Sequence, residues 1–174
     1  AFYGTQRKEK KIMFREMLKK KQRLSKEDTI QIMMEGTNGI LSCLGDDDYP
    51  YGVPINYVYF DDKIYFHSAK VGHKLDAIRR HPKVSFSVVG EDTIVSAEYT
   101  SYFRSAIAFG KVRIVEGEEH KKGFRALVEK YSGDQPEESK QYEMDNCQGA
   151  YIMAIDIEHM SGKAAIELVE EKSK

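Results

Sequence analysis

The sequence predicts a mainly β domain, an antiparallel barrel or sandwich with helices at its ends. Three observations carry this reading. Six or so short strand-like runs recur along the chain, parted by turn residues. Two or three amphipathic helical segments lie among them. No regular alternation of strand and helix is present, which argues against a doubly wound parallel sheet. The 174 residues suit one domain, and 41% hydrophobic residues are enough for a core. The expected organisation is a basic N-terminal arm or helix over 1–24, a barrel domain over 25–165 and a tail over 166–174.

The elements follow in order. Lys8 to Arg23 is dense in Lys and Arg, with Ile12, Phe14, Met17 and Leu18 between them, so it forms an amphipathic helix or a loose arm. Ser25 caps a helix over Lys26 to Glu35, with Asp28 near its positive end. Gly36 is a candidate left-handed stop. Gly39 to Cys43 is the first strand, and Gly45 to Asp48 a turn. Tyr51 to Phe60 reads as a strand that contains Pro54, which requires an edge, a bulge or a position outside the ladder. Asp61-Asp62 turns the chain into Lys63 to His67 as a hairpin. A short helix, His73 to Arg80, stops at His81-Pro82. Val84 to Val89 is a strand, and Tyr99 to Glu116 holds two β-like halves around Gly110. Glu118 to Tyr131 is an amphipathic helix, Ser132 to Gln141 a loop of Gly, Pro and acids, and Ala150 to Met160 a closing strand. Lys163 to Lys174 is a tail.

Composition excludes several functions. Lys and Arg number 27 against 28 Asp and Glu, too little basic excess for nonspecific nucleic-acid binding. Cys43 and Cys147 have neither disulfide-framework nor zinc spacing, and two buried thiols point to a reducing cytoplasm. No apolar run approaches the ~20 residues that span a bilayer, and no apolar signal-peptide region is visible. The five histidines show no HExxH or clustered metal spacing, so no metal site is expected. His120 and His159 read as surface positions.

Three segments offer chemistry. In His67-Ser68-Ala69-Lys70-Val71-Gly72-His73-Lys74 a strand ends, a loop follows and a helix begins. A helix start offers free N–H groups to an anion, Ser68 adds a hydroxyl, and Lys70 and Lys74 add charge. The residues alone equally allow a solvated loop, and the glycine pattern is not that of a P-loop. The second segment is Val53-Pro54-Ile55-Asn56, where Pro54 breaks the ladder and frees backbone groups for a ligand; an ordinary edge strand is the alternative. In the third, Tyr102, Arg104 and Ser105 can serve a phosphate, or form a strand with a polar outer face.

The stretches GVPINYVYFDDKIYFHSAKVGHKLDAIRRHPKVSFSV and YFRSAIAFGKVRIVEG, with IDIEHMSGK near the end, resemble the pyridoxamine 5′-phosphate oxidase-like split-barrel family. The likeness spans roughly residues 25 to 165 and is closest to the nitroimidazole resistance protein-like branch. The resemblance implies an FMN-binding split barrel of antiparallel Greek-key type. It also implies a homodimer with each FMN in a cleft lined by both subunits. Val53, Pro54, Ile55 and Asn56 would line the ring. His67, Ser68, Lys70 and Lys74 would hold ribityl and phosphate, with Tyr102, Arg104 and Ser105 more distant. The substrate-phosphate Arg and His pattern of the true vitamin B6 oxidases is not found near the C-terminus. The function expected is an oxidoreductase reducing a small organic substrate, such as a nitroaromatic or quinone, with NADH or NADPH as donor. The alternative is a non-catalytic flavin-binding or heme-binding protein on the same fold.

Overall fold

The computed structural model describes residues 14–171. Seven strands form one antiparallel sheet: β1 (Asn38–Leu44), β2 (Pro50–Asn56), β3 (Val58–Phe60), β4 (Lys63–Ser68), β5 (Lys83–Val95), β6 (Thr100–Val115) and β7 (Tyr151–Ala164). Their order is β2-β1-β5-β6-β7-β4-β3. β2 and β3 stand at opposite ends of that order, yet only Tyr57 separates them in the chain. The sheet must therefore curl on itself, and the result is a barrel.

The continuous strand expected over Tyr51 to Phe60 is interrupted at Tyr57. Its N–H donates to the Tyr131 hydroxyl at 3.0 Å, and that hydroxyl lies 2.6 Å from its carbonyl oxygen. A side chain thus supplies both bonds that a neighbouring strand would otherwise give. The two halves around Gly110 are one strand, with a register shift between Phe109 and Gly110. β5 runs past Val89 to Val95 through a shift at Val89/Glu91, making a long hairpin with β6.

The helices are α1 (Lys26–Glu35), α2 (His73–Arg80), α3 (Gly117–Ser132), α4 (Glu137–Asp145) and α5 (Ile166–Glu171). The Ser25 hydroxyl accepts the Asp28 N–H at 3.0 Å, as its spacing predicts. Gly36 is not left-handed, with φ −62°. A Cβ there would lie 2.5 Å from Val88 Cγ1 and 2.6 Å from the Tyr57 hydroxyl, so close approach is the reason for glycine. The loop expected at Ser132 to Gln141 becomes α4 after Pro136. Glu137 and Glu138 sit at its positive end, and Lys140 on it pairs with Glu129 of α3 at 3.3 Å. Its polar sequence hides it because these are tertiary ion pairs rather than an apolar stripe. The tail expected from Lys163 holds the end of β7 and then α5, whose Leu168 is buried with Ala164 and Ala165. His120, expected at the surface, is buried on α3, with Nδ1 3.8 Å from Cys147 Sγ.

Of the N-terminal arm, residues 1–13 lie outside the described residues. Residues 14–24 hold no α-helix, only a 3-10 turn at Lys20–Gln22. Phe14 stacks on His159 at 4.9 Å, and Leu24 N–H donates to Gly162 O at 3.0 Å, so the arm lies along β7. The barrel interior is filled by Leu41, Ile64, Phe66, Phe86, Met153 and Ile155. A second cluster of Val58, Tyr65, Val115, Ile152 and Ala154 lies outside the barrel beneath Leu127 of α3. Among the described residues no helix is long and apolar enough to cross a membrane.

Candidate functional site

The barrel does not close along its whole height. β3 and β4 pair through Val58↔Tyr65 and Phe60↔Lys63. Continued past Tyr57, this register would set Asn56 opposite His67 and Ile55 opposite Ser68. No such pairing forms among the described residues: β2 pairs with β1, and β4 with β3 and β7. The strand ends Val53–Asn56 and His67–Ser68 thus flank a split with unpaired backbone groups. The topology brings the first two sequence-predicted segments to one place.

Burial assigns faces along these strands. Val53 and Ile55 are half-buried against the barrel core, while Pro54 and Asn56 are exposed. Asn56 Nδ2 donates to Thr37 O at 2.8 Å. Ser68 is buried and His67 exposed.

The loop after β4 leads into α2 through Gly72, whose φ of +127° favours glycine. No side chain caps α2, so the N–H groups of its first turn keep capacity for an anion. Lys74 Nζ lies 5.7 Å from the Phe66 ring centre, and Lys70 Nζ 5.4 Å from that of Tyr151. Burial pushes the Lys74 amine down from its ordinary value, and the nearby Cys43 thiol opposes the shift. Burial likewise raises the Cys43 thiol, against the effect of Lys74. Neither Lys70 nor Lys74 has a carboxylate within ion-pair distance among the described residues, unlike Lys63, Lys111 and Lys140. Lys70 is exposed, whereas Lys74 is half-buried; a half-buried ammonium without an anion is costly, and a phosphate would offset that cost. The residues present therefore fit a phosphate-bearing cofactor.

His73 is committed elsewhere. It stacks on Tyr51 at 4.1 Å, and its Nε2 lies 3.4 Å from Asp46 N. Arg80 holds the Asp46 carboxylate at 2.6 Å, so α2 is tied to the turn after β1.

The third segment lies apart within one chain. Tyr102 donates to Glu98 at 2.8 Å, and Arg104 Nε lies 3.5 Å from the Glu91 carboxylate. Arg104 lines a cleft with Gln31 and Glu35 of α1, on the long β5–β6 hairpin. Sequence reasoning missed Phe66, Tyr151 and Cys43 as neighbours of the two lysines. Strand register places them there, and no local motif announces it.

A sheet closed by one continuous chain and parted between β2 and β4, with a basic loop at the parting, defines a split-barrel protein. The chain belongs to the pyridoxamine 5′-phosphate oxidase family, whose model matches residues 25–164. Solved structures show the same fold. A candidate 5-nitroimidazole antibiotic resistance protein from Bacteroides thetaiotaomicron superposes with a TM-score of 0.69 at 23% identity, over 82% of this chain and 86% of that one. An FAD-binding protein from Mesorhizobium loti gives 0.56 at 23% identity, over 82% and 96%. An FAD- and heme-binding protein from Mycobacterium smegmatis gives 0.68 at 20% identity, over 83% and 73%. Among curated proteins none matches the chain.

Proposed function

We propose that the protein is a flavoprotein that holds FMN at the split between β2 and β4. On this reading it is a homodimer and an oxidoreductase that reduces a small organic substrate, such as a nitroaromatic or quinone. NADH or NADPH is the electron donor. The observation that carries the reading is the pair Lys70, on the loop, and Lys74, in the first turn of α2, two cations with no ion-pair partner among the described residues beside an uncapped helix start. FMN is favoured over FAD because this reading uses a single phosphate cradle and the sequence lacks a dinucleotide fingerprint. Family membership and the FAD-binding neighbour support a flavin.

Val53 to Asn56 would line the ring with backbone donors and acceptors left free at the split. His67, Ser68, Lys70 and Lys74 would hold ribityl and phosphate. FMN supplies the redox chemistry when bound. The chain's own residues bind and orient, and the half-buried Val53 and Ile55 keep water from one side.

An outer face of the sheet that no helix covers among the described residues supports the dimer. Pro54, Ile40, Ser87, Ile107 and Ser161 pair in register across β2, β1, β5, β6 and β7. The next rung is Gly52, Ser42, Ser85, Phe109 and His159, and neither rung carries Asp, Glu, Lys or Arg. Tyr102, Arg104 and Ser105 would then serve the partner's split. The two free buried thiols suit a cytoplasmic location.

Mass analysis of ligand released by heat tests the cofactor, with FMN expected. Recovery of FAD or heme, or no ligand after FMN reconstitution, overturns the assignment. Lys74→Ala should raise the FMN dissociation constant roughly 5- to 150-fold, the range for losing a charge-assisted contact. An unchanged constant would move the phosphate elsewhere. Reduced protein mixed anaerobically with a nitroimidazole or quinone should regain flavin absorbance. A flavin that stays reduced with every such acceptor would leave a binding protein without this turnover.

A further inference from the structure

A groove that shares no residue with the split carries its own chemistry. It runs on the outside of the barrel between β3 and α3, has a volume of about 490 Å³, and is closed on one side by Met144 of α4. Volumes of this size hold small organic ligands. Val58 and Phe60 form its floor, and Ala126 stands on the facing helix. Phe60 is 43% exposed, a large apolar side chain left in water beside the open edge of β3.

The α3 wall is a single stripe. Lys122 is three and four residues from Arg125 and Ala126, which are in turn four and three from Glu129, so the four share a face about 10 Å long. The two ends of that face differ in charge. At the Glu129 end, Arg125 bonds Glu129 at 2.5 Å and Glu137 at 2.7 Å, and Lys140 lies 3.3 Å from Glu129. Charges there are mutually neutralised. At the opposite end Lys121 is paired with Glu118 at 3.1 Å, whereas Lys122 has no ion-pair partner among the described residues. An apolar trough thus opens at one end onto a free ammonium.

We propose that this groove binds a small amphipathic carboxylate, its hydrocarbon body over Phe60 and Ala126 and its anionic head at Lys122. A medium-length fatty acid has this form: an apolar body to cover the floor and one charge for the open end. The stems of Lys122 and Arg125 add apolar wall while their heads stay in water. The assignment is independent of the flavin reading, since the groove shares no residue with the split.

Titration calorimetry of the full chain with decanoate, below its micelle concentration, tests the proposal. Saturable binding is expected, with decyltrimethylammonium at least about tenfold weaker because its charge is reversed. Lys122→Glu should weaken decanoate about tenfold. Ala126→Trp, which fills the trough, should abolish binding. Lys74→Ala should leave it unchanged, which separates this groove from the split. Far-UV circular dichroism shows whether each variant is folded, and Lys122→Glu at an exposed position keeps the test available if the tryptophan variant unfolds. Absence of decanoate binding overturns the proposal, as does equal affinity for the cationic chain or insensitivity to both groove variants. If decanoate fails to bind while Ala126→Trp alters self-association or uptake of an acidic peptide, the groove is a protein-docking surface and the ligand assignment is wrong.

Discussion

Tyr65, Ile152 and Ala154 point outward from the barrel just as Ile40, Ser87 and Ile107 do, yet the two sets meet different fates. The first set lies beneath α3: Tyr65 is 2% exposed and Ile152 fully buried, with Leu127 and Phe124 packed over them. Among the described residues the second set has no helix over it, and Ile40 and Ile107 are 36% and 41% exposed. Both faces are apolar, so hydrophobic content alone does not decide which is covered. The chain supplies an amphipathic helix after β6, which folds back on β4 and β7; α1 and α2 also touch β5 and β1, but among the described residues no helix lies over Ile40, Ser87 and Ile107. Phe14 of the arm reaches this face at Phe109 and His159. Two rungs with apolar residues, small serines and no formal charge, uncovered by any helix among the described residues, suit another copy of the chain better than water.

The largest effect should come from the covered half. Ile152→Ala removes a fully buried side chain beneath α3 and should cost about 2–5 kcal/mol, read as a lower urea midpoint at unchanged slope. A loss under about 1 kcal/mol would make α3 a loose cover and erase the contrast. On the bare half, Ile107→Asp would place an unpaired charge in the proposed subunit interface. It should weaken self-association by about a hundredfold while leaving the fold intact. Light scattering should then report the chain mass rather than twice that mass. An unchanged dimer would move the interface elsewhere.

The smallest effect concerns the seam where α3 meets α1. Lys130 donates to Gly36 O, and its Nζ lies 4.3 Å from the Tyr57 ring centre. Burial lowers its pKa from 10.5 to about 8. Between pH 8 and 10.5 the unfolded chain still holds this proton while the folded chain has given it up. Folding therefore gains stability as pH rises through this window. Compared with Lys130→Met, the natural protein should gain about 1 kcal/mol between pH 7.5 and 10. The gain is modest because the amine is part-exposed and solvent screens it. Urea midpoints of both proteins at the two pH values measure it, and a flat difference would mean that Lys130 stays charged.

Much of the architecture was legible because it rests on local chemistry. The Ser25 cap, the Asp61-Asp62 turn and the stop at His81-Pro82 all fall where their residues predict. The split was not legible, because it depends on which strands decline to pair. Tyr51 to Phe60 carries no mark at Tyr57 that a tyrosine 74 residues later will take both its backbone bonds. α4 escaped because its stabilising partners are ions on another helix, not a periodic apolar stripe. Within the candidate site, Ser68, Lys70 and Lys74 could be singled out from the strand–loop–helix pattern alone. Phe66 and Tyr151, the rings beneath the lysines, belong to strands whose adjacency only the register reveals.

The pairing of β4 with β7 also sets an order of events during synthesis. Lys63 finds its partner in Asp156, 93 positions along the chain. Until β7 leaves the ribosome, β1, β2, β5 and β6 can zip into an open four-stranded sheet, but the β3–β4 hairpin has nowhere to dock. Phe66 and Ile64 then stay in contact with water or with a chaperone. Closure is a late, single step that a nascent chain cannot rehearse, and long-range closures of this kind are slow and prone to aggregation. A chain arrested at Gly149 should accordingly bind a hydrophobic dye that the finished chain excludes, and equal dye binding by the two would show that the barrel's interior is protected before its last strand arrives.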